Sequence, residues 1–220
     1  MKALFSLRIV VLRTLILGGL LLSAAAGAAQ KDTLKTILVW GDSISAGYGL
    51  DADTGWVHLL ERRLQSQGKP YTVINASVSG ETTAGGLSRL PAALDRFKPD
   101  IVLLELGGND GLRALPLDAM RTNLDKMVEL SRAARARPVL FEMYIPRNYG
   151  PVYTERFTKV FDQLAQARQV PIVPFFLASL VTERDKWFQD DELHPNAQAQ
   201  PQLLEAMWPT LEPLLKTAHP

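Results

Sequence analysis

The sequence predicts an α/β protein, a three-layer α/β/α sandwich on a parallel sheet of about five strands. Short, almost wholly apolar runs alternate with longer segments whose apolar residues recur at helical spacing. The runs lack the in-and-out alternation of a sheet with one wet face, so both faces are covered. Glycine-bearing polar turns follow the first three runs, at the carboxyl ends of strands where such folds gather ligands.

The elements follow in order. Thr36–Trp40 is a buried strand ending at Gly41. Gly55–Gln67 is a helix, with Trp56, Val57, Leu59, Leu60 and Leu64 on one face. Tyr71–Ile74 is the second strand. Ala84–Phe97 is a helix with Leu87, Leu90 and Leu94 about a turn apart and Pro91 as a potential break. Asp100–Leu106 is the third and clearest strand. Leu117–Ala136 is a long helix aligning Met120, Leu124, Met127 and Leu130. Pro138–Met143 is the fourth strand. Val152–Arg168 is a helix turning Phe157, Val160, Phe161 and Leu164 inward. Val170–Phe175 is a fifth strand shortened by Pro171 and Pro174. Ala197–Leu215 closes the chain as a helix interrupted near Pro201, Pro209 and Pro213.

Composition is that of an ordinary globular domain, 47% apolar and 21% charged. Lys2, Arg8 and Arg13 precede the apolar stretch Thr14–Leu22, and small residues Ser23–Ala29 follow. This is the pattern of a secretory signal peptide over residues 1–29, cleaved near 26–29, ahead of one domain over 30–220. An uncleaved anchor is the competing reading, but the strongly apolar part is short for a span of ~20 residues. The expected location is outside the cytoplasm, which is the periplasm if the source cell is Gram-negative. Processing would lower 24 basic residues to 21 against 23 acidic ones, a net charge of −2 with no basic stripe for nucleic acid. The chain has no cysteine, which excludes disulfides, a thiolate nucleophile and lipid attachment through cysteine.

Chemistry is sought first among the three histidines. His58 lies in an amphipathic helix and His219 next to the carboxyl terminus. His194 lies in the polar loop Asp190–Pro195 before the last helix and is the candidate general base. Asp191, three residues earlier, can reach its Nδ1 within one tight turn and fix the tautomer; spacing favours it over Asp190. Ser43, in the turn after the first strand, is the candidate nucleophile, though the position also suits a helix cap. Gly80 after the second strand offers a backbone N–H. Asn109 after the third offers a side-chain amide. With the Ser43 N–H they would form an oxyanion hole, although a turn glycine and an Asx-turn are the plain alternatives.

The segments Gly41–Gly47 (GDSISAG), Asn75–Gly80 (NASVSG), Gly107–Asp110 (GGND) and Asp191–Pro195 (DELHP) resemble the four blocks of the SGNH (GDSL) hydrolase family, in family order and spacing. The likeness extends through Gly85–Pro91, Asn148–Pro151 and Val173–Phe176, and is strongest to the subgroup of periplasmic thioesterase I, lysophospholipase L1 and arylesterase. The resemblance implies a flavodoxin-like sheet order and a Ser43–His194–Asp191 triad. It also implies an oxyanion hole of Ser43, Gly80 and Asn109, and neither metal nor cofactor. Two departures stand out. Glu192 occupies a position where the family often has glycine, and Trp40 one where it usually has an aliphatic residue. Both bear on substrate range.

The expected activity is hydrolysis of acyl esters and thioesters: aryl esters, acyl thioesters and lysophospholipids. The partner is then a small acyl substrate, and the enzyme a monomer without a membrane span after processing. Asp42, Leu112, Arg113, Ile145 and Tyr149 are the candidate substrate-binding residues, with Leu115 and Arg147 beside them in the loops after strands three and four. A carbohydrate acetyl esterase of the same family is one alternative. A non-enzymatic flavodoxin-like binder is another, although neither a G-x-G-x-x-G nor a P-loop sequence is present.

Overall fold

The computed structural model describes residues 34–215; the signal-peptide reading and His219 lie outside the described residues. Five strands, β1 (Lys35–Gly41), β2 (Tyr71–Asn75), β3 (Ile101–Glu105), β4 (Arg137–Phe141) and β5 (Ile172–Val173), form one parallel sheet in the order β2-β1-β3-β4-β5. This is the flavodoxin-like order, and its switch point lies between β1 and β3. Ile37 to Trp40 and Ile101 to Leu104 are each at most 1% exposed, so the two central strands are covered on both faces.

One layer holds α2 (Trp56–Ser66) and α8 (Gln200–Leu215). Trp56 packs there against Phe141 and Phe176, with centroids 6.0 Å from each. The other layer holds α3 (Thr83–Phe97), α5 (Leu117–Ala133) and α6 (Pro151–Arg168). Short helices α1 (Ser43–Ala46), α4 (Gly108–Leu112) and α7 (Arg184–Trp187) lie in the loops at or near the site. Among the described residues no helix is long and apolar enough to cross a membrane.

Three expectations need correction. Pro91 sits inside α3 without breaking it. The ring is exposed, so the Leu87 carbonyl it leaves without a helical donor is on the solvent side. Burial of Gly86, Leu90, Ala93 and Leu94 outweighs the cost of ~3 kcal/mol. The last helix is likewise continuous from Gln200. Pro201 occupies its first turn, where the missing N–H is an orphan anyway, and Pro209 and Pro213 share an exposed stripe four residues apart. The fifth strand is only two residues long, because Pro174 cannot extend the ladder. Phe175–Val181 therefore belongs to a loop, which matters for the site.

Candidate active site

Ser43 opens α1 at the end of β1. Asp42 caps this helix by accepting from the Ile44 N–H at 3.1 Å, and Gly47 ends it in the left-handed region at φ 73°. Ser43 therefore occupies the first helical position rather than the cap, where its N–H has no intrahelical acceptor.

The loop after β2 is stitched to this turn. The Val78 N–H donates to the Gly41 carbonyl at 3.0 Å, and the Asn75 amide to the Ser45 carbonyl at 2.8 Å. Gly80 follows with φ 76°, a conformation that costs glycine nothing. Asn109 lies in the first turn of α4, and its amide donates to Asp42 Oδ2 at 3.2 Å. Next to it, buried Asp110 accepts from the Thr83 N–H and hydroxyl at 2.8 and 2.5 Å, fastening α4 to the start of α3.

His194 arrives from a loop held at several points. Phe188 and Pro195 form an antiparallel bridge, and the Gln189 N–H donates to the His194 carbonyl at 2.8 Å. Buried Gln200 donates to the Pro195 carbonyl and accepts from the Trp56 N–H, tying the loop to α2. Asp191 Oδ1 accepts from the Leu193 and His194 N–H groups, both at 2.9 Å. Its Oδ2 lies 2.6 Å from His194 Nδ1, and His194 Nε2 lies 2.8 Å from Ser43 Oγ. Burial alone would raise the Asp191 carboxyl. The His194 amide, the imidazole and the Leu193 amide override it and hold the group at about 2. Asp191 is therefore ionised at neutral pH and favours the Nδ1–H tautomer, which leaves Nε2 free to accept the Ser43 proton. Exposed Asp190 makes no such contact. The Tyr48 ring packs on the imidazole at 4.5 Å between centroids.

A cavity of about 750 Å³ opens over these groups, lined by Ser43, Gly80, Asn109 and His194. Its wall is mainly apolar: Leu112, Met143, Ile145, Phe175, Leu177 and Phe188 contribute. Of the residues expected to bind substrate, Asp42, Leu112 and Ile145 line it, as does Arg147. Asp42 is 3% exposed, with one oxygen on Ile44 and the other on Asn109, so it forms floor rather than a free contact. Arg113 and Tyr149 are not in the wall. Arg113 reaches back to donate to the Gly80 carbonyl at 3.0 Å, and the Tyr149 hydroxyl donates to the Leu112 carbonyl at 2.6 Å. Leu115 also lies outside the wall.

Sequence reasoning missed Tyr48, Tyr144, Phe175, Leu177, Val181 and Arg184, all of which line the cavity. The available signal was Pro174, which ends the last strand early and hands the following apolar residues to a loop. The two departures also find their places. Trp40 is 1% exposed and faces α3, donating from Nε1 to the Gly86 carbonyl at 3.2 Å, away from the cavity. Glu192 adopts φ 55°, the left-handed conformation that glycine accepts most easily.

Fold and site together describe a flavodoxin-like α/β chain with a Ser–His–Asp constellation at the switch point of its sheet. The chain belongs to the GDSL-like lipase/acylhydrolase family, whose pattern matches residues 39–200. It is 47% identical over 204 residues to esterase TesA of Pseudomonas aeruginosa, covering 93% of this chain and 100% of that one. It is 42% identical to thioesterase 1/protease 1/lysophospholipase L1 of Escherichia coli K12, covering 86% and 87% of the two chains. The crystal structure of the psychrotrophic esterase EstA from Pseudoalteromonas, inhibited by monoethylphosphonate, matches at a TM-score of 0.79 with 42% identity, covering 83% of this chain and all of that one. These relatives are ester hydrolases by name.

Proposed function

We propose that the chain hydrolyses acyl esters and thioesters through a Ser43 acyl-enzyme. The observation that carries this is the continuous contact from Asp191 through His194 to Ser43, which ends in an apolar cavity. His194 Nε2 takes the Ser43 proton as Oγ attacks the acyl carbonyl. The oxyanion is met by the N–H groups of Ser43 and Gly80 and by the Asn109 side-chain amide, each such donor worth ~3 kcal/mol in the transition state. The C–O or C–S bond then breaks, and the leaving alcohol or thiol takes the proton from His194. Water, deprotonated by His194, hydrolyses the acyl-enzyme and restores Ser43.

The apolar wall favours an acyl chain longer than acetyl, which separates this reading from a carbohydrate acetyl esterase. A fluorophosphonate labels the wild type and not Ser43→Ala, and turnover of p-nitrophenyl esters rises with acyl length beyond acetyl. An optimum at acetyl, with turnover of acetylated sugars, turns the assignment to the second class. Full activity in Ser43→Ala removes both. The reading also includes export by residues 1–29 and a monomeric domain over 30–220. Amino-terminal sequencing of protein from the periplasmic fraction and light scattering test these points.

A further inference from the structure

Beneath the nucleophile turn lies a carboxyl group that acyl transfer does not use. Glu105, the last residue of β3, is 0% exposed. Its Oε2 accepts from the Ser45 hydroxyl at 2.5 Å and from the Asp42 N–H at 3.2 Å, bracketing Ser43 on both sides. Its Oε1 is buried and no donor of the described residues reaches it. A side chain on Gly41 would collide with Oε2, so the first glycine of the turn makes room for the carboxyl. Asp42, held by its own amide to Glu105, carries the contact on to Asn109.

We propose that Glu105 is a positioning residue, a neutral carboxylic acid that clamps Asp42 and Ser45 so that the Ser43 N–H and the Asn109 amide face one point. It rests on the acyl-transfer reading above. Charge is the reason for neutrality. An ionised Glu105 would leave one charged oxygen buried without a donor and would face the Asp42 carboxylate. It would also oppose the negative charge that develops on the substrate oxygen just above. Burial first, and the Asp42 charge second, push the Glu105 carboxyl well above the usual carboxylate range; the Ser45 hydroxyl and the Asp42 and Ser45 amides offset this in part. Burial also raises Asp42 to about 6, against the pull of the Ile44 amide, the His194 imidazole and the Glu105 and Asn109 side chains. Both carboxyls are raised, Glu105 the further, so a proton on the pair resides on Glu105 before Asp42. Asp42 acts directly on Glu105, and His194 acts on Asp42.

The test compares kcat against pH for wild type, Glu105→Gln and Glu105→Ala. Glutamine is the neutral isostere. It keeps kcat at pH 7 within about threefold and removes the fall in activity that ionisation of Glu105 causes at alkaline pH. Alanine leaves the Asp42 N–H and the Ser45 hydroxyl without their acceptor and lowers kcat roughly 10- to 100-fold with little change in KM. A loss in Glu105→Gln as large as in Glu105→Ala, or an alkaline limb unchanged in Glu105→Gln, overturns the proposal. Carbon-13 NMR of the Glu105 carboxyl in wild-type protein is independent of how the variants fold, and an ionised group at pH 7 also overturns it. If the wild type neither turns over esters nor reacts with a fluorophosphonate, the acyl-transfer reading fails, and the NMR titration still decides the protonation of Glu105.

Discussion

The guanidinium of Arg113 donates to the carbonyl of Gly80 at 3.0 Å, spanning the loops after β3 and β2. From its position in the loop, Arg113 reads as a contact for an anionic substrate. Its hydrogen bond instead holds the peptide plane beside the Gly80 N–H. The bond is exposed, so it is worth about 1 kcal/mol. Arg113→Ala is expected to lower kcat on neutral p-nitrophenyl esters about fivefold with KM nearly unchanged. A rise in KM confined to anionic substrates would restore the substrate-contact reading.

Asp191 links activity to acid stability. Its carboxyl stands at about 2 in the folded chain, below its ordinary value. A depressed carboxylate contributes stability at pH above its unfolded value, about 4. That contribution is lost as pH falls from about 4 to about 2. With 40% of the side chain exposed, solvent screens the effect. Urea unfolding should show Asp191→Asn less stable than wild type at pH 6, the gap closing by pH 2. The same variant should lose esterase activity at neutral pH, because an amide can no longer favour the Nδ1–H tautomer electrostatically.

Glu192 holds a left-handed backbone at φ 55° in the loop between Asp191 and His194. Glycine removes the local strain and adds entropy to the unfolded chain, two effects of opposite sign. The net expectation for Glu192→Gly is a gain of up to ~1 kcal/mol with kcat retained. Glu192→Val, with a β-branched side chain at positive φ, is expected to destabilise the loop and lower kcat. Thermal unfolding and a p-nitrophenyl butyrate assay check both.

Trp40 fills space under α3 and bonds to the Gly86 carbonyl, with the Arg89 guanidinium 4.2 Å from its ring centroid. Trp40→Leu leaves a void and removes a second hydrogen bond from the Gly86 carbonyl, which keeps its helical partner in α3; the void dominates a cost of about 2–4 kcal/mol. Acyl-length preference should not move, since the ring does not line the cavity. A changed length profile in a folded variant would show that packing under β1 reaches the substrate.

The fold was legible because its signals are local. All five strands have boundaries within about two residues of their apolar runs, although β5 keeps only Ile172–Val173 of its run, and the turns after β1, β2 and β3 carry Ser43, Gly80 and Asn109 to one end of the sheet. The contact from Asp191 to His194 spans three residues and was readable from spacing. Where sequence reasoning went astray, a proline rule met a tertiary compensation, as at exposed Pro91. Arg113 and Tyr149 are a different case: long polar side chains have several partners within reach, and these two found carbonyls of neighbouring loops.

The amino-acid order alone specified the alternation of strands and helices, the four blocks of a GDSL-type chain and the residue types proposed for acyl transfer. These depend on patterns a few residues long. Contacts between distant segments came from the order of strands in the sheet. The 2.8 Å approach of His194 to Ser43 across 151 residues, the placement of Glu105 beneath that serine, and the cavity wall built from the loop after β5 all depend on it. Their physical reason is packing: a side chain's partner is set by which elements the buried core brings side by side, and no short window of sequence contains that choice.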